Sequence, residues 1–162
     1  MNSTARKIYI IILICLTALT LAFIWGNSML PPNASIKGSS NVYGAVVDVV
    51  ENIAGTPAKE NFIQTFTHQI FRKFTHFAEF GLLGLELSLL FIAVGKFDLK
   101  YGYFIPIAGV AVALIDEFIQ IFSKRGSSMM DVLIDVSGFL TAFLFVLLVV
   151  LIINKIKSKT TA

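Results

Sequence analysis

The sequence predicts an all-α, polytopic membrane protein with four transmembrane helices, together with amphipathic interfacial helices in the first outer loop. Hydrophobic residues make up 56% of the 162 residues and charged residues only 14%, whereas a soluble domain carries about 25% charged residues. The mean hydropathy is +0.82. Four segments approach the roughly 20 apolar residues that a helix needs to cross about 30 Å of hydrocarbon. We therefore expect one membrane domain over residues 1–162.

The four predicted spans are 8–25, 77–95, 103–122 and 132–153. The first follows Arg6 and Lys7 and is longer than the roughly 7–15 apolar residues of a signal peptide, so we expect an uncleaved anchor. The second and third spans contain acidic residues, and the fourth has Asp135 near its start. Small residues recur at spacings that let helices approach closely, namely Gly81, Gly84, Ser88, Gly138 and Ala142.

The predicted outer loop, residues 26–76, has an irregular start and two amphipathic parts. Turn-forming residues dominate from Gly26 to Asn33. Apolar residues then recur at helical spacing in two stripes, Val42, Val46, Val49, Val50 and Ile53, and then Phe62, Phe66, Ile70, Phe74 and Phe77. One helix from Pro57 to Gly95 would be about 58 Å long at 1.5 Å per residue. We therefore expect its first half to lie along the outer interface, with its Phe rings in the lipid.

The distribution of Lys and Arg predicts the orientation in the cell membrane. Basic residues are densest near the N-terminus, at residues 96–100 and at residues 155–159, and such density marks cytoplasmic segments. Both termini are therefore expected in the cytoplasm. The net charge of +3 is too small and too scattered to favour a nucleic-acid partner.

Polar residues of the second, third and fourth spans are expected to meet at the outer half of the membrane. A charge at the bilayer centre costs about 2.5 to 3.5 kcal/mol, and such groups normally face the bundle interior and pair. The negative charges of five acids can be offset there by the positive charges of Lys73, Lys124, Arg125 and His76. The five acids are Glu79, Asp116, Glu117, Asp131 and Asp135. The predicted binding residues are Lys73, His76, Glu79, Asp116, Glu117, Gln120, Arg125, Ser127, Asp131 and Asp135.

Three interpretations of this cluster stay open on the residues alone. The charges could have a purely structural role and hold the helices together, although a buried ion pair is often no more stabilising than an apolar replacement. They could form a binding or catalytic site, with Glu79, Asp116 or Glu117 as general acid or base. They could hold a metal, for which His76, Glu79 and Asp116 are weak candidates because one histidine is thin support for zinc. We favour the site, predict no metal and leave the cofactor unknown.

Three ordered blocks of residues carry a family resemblance. They are Lys73-x-x-His76-Phe77-x-Glu79-Phe80, then Asp116-Glu117-x-x-Gln120-x-Phe122-x-x-Arg125-x-Ser127, and then Asp131-x-x-x-Asp135-x-x-Gly138. This pattern resembles the VanZ-like family of small integral membrane proteins, whose founding member is associated with low-level teicoplanin resistance in Gram-positive bacteria. The resemblance implies a contribution to glycopeptide antibiotic resistance, although a shared family does not by itself transfer a function.

The preferred function is an outward-facing site for an amphiphile of the cell envelope, either a lipid-linked cell-wall intermediate or a lipoglycopeptide. Lys73 and Arg125 are expected to hold anionic groups, while Phe residues of the outer loop hold the apolar part beside membrane lipid. One alternative is a membrane enzyme, a hydrolase or transferase acting on such a lipid with or without a metal. Another is a structural partner of a second membrane protein.

Overall fold

The computed structural model describes residues 2–30, 44–45, 48–49, 61–98, 101–124 and 128–160, and of residues 61–69 and 71 only the backbone. It contains four long helices, which we number α1 (Ser3–Met29), α2 (Asn61–Val94), α3 (Phe104–Phe122) and α4 (Met129–Thr160). Each contains a stretch long and apolar enough to cross a membrane, which in α2 is Arg72–Val94. The described residues include no strand. The predicted all-α class with four spanning helices is confirmed.

Helix α1 is longer than the predicted span 8–25. It begins after Asn2, whose Oδ1 accepts hydrogen bonds from the backbone N–H groups of Thr4 and Ala5 at 2.8 and 3.3 Å, as an N-cap residue does. It continues through Gly26 to Met29, so the predicted irregular chain is wrong at this point. Tertiary packing overrides the weak helix propensity because Ile24 and Ser28 are buried against other helices.

Helix α2 runs without a break for 34 residues, which is about 51 Å at 1.5 Å per residue. Helix α1 extends to Met29, beyond the predicted start of the outer loop at residue 26, whereas α2 begins at Asn61, within the part of that loop where a helix leading into the second span was expected. The interfacial position of the first part of α2 stays a prediction. Most of the expected amphipathic helix around residues 42–53 lies outside the described residues.

Helices α2 and α4 cross closely at glycines. A Cβ atom on Gly84 would lie 2.5 Å from the carbonyl oxygen of Phe139, and a Cβ atom on Gly138 would collide with the carbonyl group of Phe77. The Phe139 ring itself fills the space left by Gly109 of α3. Around this crossing lies the buried apolar core, which comprises Ile24, Phe80, Leu83, Ile105, Ala113 and Phe139. The predicted role of small residues in helix packing is confirmed for Gly84 and Gly138.

The end of α2 fixes which helix termini lie together. Gly95, with φ of +76°, donates its N–H to the Ile92 carbonyl, and the Lys96 N–H reaches the Phe91 carbonyl, the pattern of a Schellman motif. Arg6 Nε donates to the Ala93 carbonyl oxygen at 2.7 Å, which places the start of α1 here. We call this the Gly95 end, and we call the opposite end, where α1 and α3 finish and α4 begins, the site end.

Candidate functional site

Asp116 of α3 is a carboxylate whose two oxygens both accept hydrogen bonds from side chains at the site end. It is completely buried. Its Oδ1 accepts a hydrogen bond from Ser28 Oγ at 2.6 Å, and its Oδ2 accepts one from Gln120 Nε2 at 2.8 Å. The Ser28 carbonyl in turn accepts a hydrogen bond from Ser123 Oγ at 2.7 Å. These bonds join the ends of α1 and α3 and fix the orientation of the Asp116 carboxylate.

Asp135 of α4 is equally buried but differently surrounded. Neither of its carboxylate oxygens accepts a hydrogen bond within the part of the chain that the structure describes. Its Oδ1 lies 3.7 Å from His76 Nδ1, which is beyond hydrogen-bond distance. Leaving a buried polar group unsatisfied costs about 1 to 3 kcal/mol. The conformation of Asp135 is therefore one that a further bound group would stabilise.

Three of the predicted residues converge from three helices. One potential ligand atom each of His76 from α2, Asp116 from α3 and Asp135 from α4 lie within 4.8 Å of one another. The acidic groups of Asp116, Asp131, Glu117 and Glu79 all interact electrostatically with Asp135. The predicted meeting of polar groups from the three spans is thus present for these residues, and Asp135 lies among four acidic neighbours.

The rim of the cluster is more open. Lys73 Nζ lies 3.9 Å from Asp131 Oδ1, with 48% and 20% of their side chains exposed, and an exposed ion pair of this kind contributes little, about 0 to 1 kcal/mol. A small cavity of about 10 Å³ opens beside it, about the size that holds one water molecule. Its polar lining comes from Arg72, Lys73, His76, Gln120, Asp131 and Asp135.

Glu117 joins the end of α3 to the start of α4. It is buried, and its Oε2 accepts a hydrogen bond from the Ser128 backbone N–H at 3.0 Å. Ser128 immediately precedes α4 and its Oγ accepts from the Met130 N–H at 3.2 Å, so Ser128 begins that helix. The predicted site residues Arg125 and Ser127 lie outside the described residues.

The predicted balance of charge counted Arg125, which lies outside the described residues, and it stays a prediction. Within the described ranges, which leave out residues 125–127, no Lys or Arg side chain forms an ion pair with Asp116 or Asp135. The cations Arg72 and Lys73 line the cavity, and 48% of the Lys73 side chain is exposed. Among the described residues, the ion pair made by a Lys or Arg at the site end is therefore with Asp131 rather than with Asp116 or Asp135.

The model of the VanZ/LLP1 family matches residues 7–152, a range that contains all three of the motif blocks and every residue of the cluster. The chain belongs to the VanZ/LLP1 family. No curated protein and no solved structure matches it.

In this VanZ/LLP1 protein the sequence motifs miss two residues of the hydrogen-bond network, Ser28 and Ser123. Ser28 is completely buried and bonds directly to Asp116. A signal for it exists in the sequence, because Thr17, Thr20, Ile24 and Ser28 are three or four residues apart and so share one helix face. Thr20 Oγ1 on the same face donates to Glu86 Oε1 at 3.0 Å. Reading the first span through to Ser28 would have revealed this polar stripe.

The VanZ/LLP1 cluster offers three kinds of chemistry. Carboxylates of Asp131 and Asp135 accept hydrogen bonds from hydroxyl or ammonium donors. Lys73 and Arg72 at the rim can bind an anionic group. One imidazole and two carboxylates together can hold a divalent cation.

Proposed function

We propose that the site end is an outward-facing pocket that recognises the polar part of a cell-envelope amphiphile, either a lipid-linked cell-wall intermediate or a lipoglycopeptide. Through it, the protein contributes to resistance against teicoplanin-type glycopeptides. The observation that carries the proposal is Asp135, a completely buried carboxylate with no hydrogen-bond donor among the described residues. A helix-locking role would leave this cost uncompensated, since buried acids are normally hydrogen-bonded or paired.

The mixed charge of the rim supports a ligand with several polar groups. Lys73 and Arg72 bring positive charge, and Asp131 and Asp135 bring acceptors, to the lining of one cavity of about 10 Å³, which admits one small group of the ligand while its other polar groups lie on the surface around it. Sugar hydroxyls and amino groups donate to such acceptors, whereas a phosphate or carboxylate binds the cations. Cell-wall intermediates and glycopeptides carry both kinds of group.

Apolar residues around the site end support an amphiphile in particular. Phe122 and Met129, on either side of the turn between α3 and α4, are 73% and 77% exposed. Phe74 and Phe118 are also largely exposed. In a membrane these side chains face lipid, so an acyl or prenyl chain that extends from the cavity passes directly into an apolar environment.

The outward orientation rests on the density of Lys and Arg at the predicted cytoplasmic segments. We expect cysteines placed at Ser39 and Lys59 to react with an impermeant reagent in intact cells, and cysteines at Asp98 and Lys157 to stay unlabelled. The background comes from Cys15, the one cysteine of the chain, and is removed with Cys15→Ser. Labelling in the reverse pattern would place the pocket in the cytoplasm and overturn the proposal.

Binding is tested with teicoplanin and the purified protein in lipid nanodiscs. We expect wild-type protein to bind teicoplanin more tightly than teicoplanin whose acyl chain has been removed, and Asp131→Asn and Lys73→Ala to weaken binding. Lys96→Ala, at the Gly95 end, is the matched control and should bind normally. A parallel measurement uses nanodiscs that contain a lipid-linked cell-wall intermediate in place of the drug.

Resistance is tested with a strain from which the gene has been deleted. We expect the deletion to increase susceptibility to teicoplanin, and the wild-type gene but not the Asp131→Asn variant to restore resistance. Unchanged susceptibility would remove the resistance part of the proposal. If wild type, Asp131→Asn and Lys73→Ala bound both probes equally, the proposal that the site end is the binding pocket would be wrong.

A further inference from the structure

The centre of the cluster contains a set of donor atoms suited to one metal ion. We propose that His76, Asp116 and Asp135 bind a single divalent transition-metal ion, of the Zn²⁺ or Mn²⁺ type. The sequence made Glu79 the third candidate ligand, but the geometry groups Asp135 with His76 and Asp116. This inference deepens the proposed function because it concerns the same site.

The spacing of the donor atoms is close to what a metal requires. The three atoms lie within 4.8 Å of one another. Ligands about 2.0 to 2.2 Å from a zinc ion stand roughly 3 to 4 Å apart, so a closure of about 1 Å completes the set. The three ligands come from α2, α3 and α4. Helices α2 and α4 cross closely at Gly138, and Phe139 of α4 packs against Gly109 of α3.

Asp135 provides an independent observation that points to a ligand. It is completely buried, and neither carboxylate oxygen accepts a hydrogen bond from the described residues. It also lies in the field of four other acidic groups. A divalent cation would satisfy the oxygen atoms and offset the accumulated negative charge in one step.

Asp116 has the surroundings of a carboxylate that binds metal. Carboxylates that ligate metals are usually hydrogen-bonded by neighbouring groups that fix their orientation. Ser28 and Gln120 donate one hydrogen bond to each oxygen of Asp116. A carboxylate oxygen has two lone-pair sites, so one remains on each atom for a metal.

The donor types indicate which metals fit. Imidazole favours transition metals, carboxylate oxygen also suits Mn²⁺, and Mg²⁺ prefers oxygen ligands in octahedral geometry. Three protein ligands leave a coordination position open, as in catalytic rather than structural zinc sites. The neighbouring cavity of about 10 Å³ lies where that position can take a water molecule or an oxygen atom of an amphiphile.

The test uses purified full-length protein after removal of metals with a chelator. We expect saturating Zn²⁺ or Mn²⁺ to raise the melting temperature of the wild type by several degrees, Mg²⁺ to raise it much less, and elemental analysis to find about one ion per chain. Asp135→Asn should melt at or above the wild-type temperature without metal and lose the response. Glu86→Gln, the matched control at a buried acid of α2 outside the trio, should keep the full response.

Several results would overturn the inference. They are no response of the wild type to either transition metal, an equal response of Asp135→Asn, or an equal loss in Glu86→Gln. His76→Gln gives a second, independent test in case Asp135→Asn does not fold, and it should also lose the response. Since no amphiphile is present, loss of the metal site and loss of amphiphile binding can be told apart.

Discussion

The Gly95 end and the site end of the bundle use their polar residues in different ways. At the Gly95 end, Arg6 donates to the Ala93 carbonyl at the end of α2, and Asp98 accepts the Tyr101 N–H in the following turn. Lys96 Nζ lies 4.9 Å above the centre of the Tyr101 ring. At the site end, in contrast, acidic side chains of α2, α3 and α4 interact electrostatically with Asp135, and Ser28 of α1 donates a hydrogen bond to Asp116.

The polar residues at the Gly95 end serve to terminate helices, whereas those at the site end have a different role. A helix terminus leaves backbone groups that a nearby side chain can satisfy, and the residues named at the Gly95 end do this locally. At the site end, Asp116 of α3 and Asp135 of α4 are completely buried and satisfy no such need among the described residues. Because desolvating like charges together is costly, we infer that the site end is maintained for a bound group rather than for stability.

The largest expected effect follows from disturbing the crossing that holds the site end together. Gly138→Leu places a side chain against the Phe77 carbonyl, and backbone atoms cannot move aside as a flexible side chain would. Overpacking usually costs about 1 to 3 kcal/mol and occasionally more, and we expect the upper part of that range or loss of folded protein. Thermal unfolding and yield in detergent measure it. Gly26→Ala, with nothing within 4 Å of the added Cβ, should be tolerated.

A smaller loss is expected for Asp116→Ala. It leaves the buried donors of Ser28 and Gln120 without their acceptor, and since each unsatisfied group costs about 1 to 3 kcal/mol, we expect a loss of at least about 2 kcal/mol. Asp116→Asn should cost less because Gln120 can turn its amide to donate to, or accept from, the new side chain. Melting temperatures of the two variants decide this, and equal stability of wild type and Asp116→Ala would contradict the network.

Glu117→Gln should change function more than stability. Its amide oxygen can still accept the Ser128 N–H that Oε2 accepts now, so we expect less than about 1 kcal/mol of destabilisation. Teicoplanin susceptibility should nevertheless rise as in the deletion strain. Arg125→Ala, at a predicted site residue outside the described ranges, is expected to behave alike. A fall in melting temperature parallel to the loss of resistance would indicate that both residues only lock the helices.

The smallest effect is expected at the Gly95 end. Arg6→Ala removes one partly buried hydrogen bond to the Ala93 carbonyl, and because neighbouring water can replace it we expect less than about 1 kcal/mol. Binding of teicoplanin should be unchanged. An Arg6→Ala variant that lost binding as Asp131→Asn does would remove the distinction between the two ends.

Sequence patterns predicted the helices far better than their ends. Four long apolar segments with few charges predict four membrane-spanning helices. Because successive spans run in opposite directions, His76, Asp116 and Asp135 come to the same level of the bundle. The irregular start predicted for the loop was wrong because local propensity at Gly26 and Asn27 yields to the packing of Ile24 and Ser28. The sequence also could not predict which of the acids accept hydrogen bonds. Asp116 and Asp135 look alike in the sequence, and only the positions of Ser28 and Gln120 distinguish them.

The most direct test of the central claim, that the site end binds a ligand, is the melting temperature of Asp135→Leu measured beside its teicoplanin binding. Asp135 is buried without a hydrogen-bond donor among the described residues, and such a group costs about 1 to 3 kcal/mol, a cost that an apolar residue of similar volume does not carry. We therefore predict a variant without bound ligand that melts at or above the wild-type temperature and no longer binds teicoplanin. A lower melting temperature together with unchanged binding would contradict the account, because Asp135 would then support the fold and not the ligand.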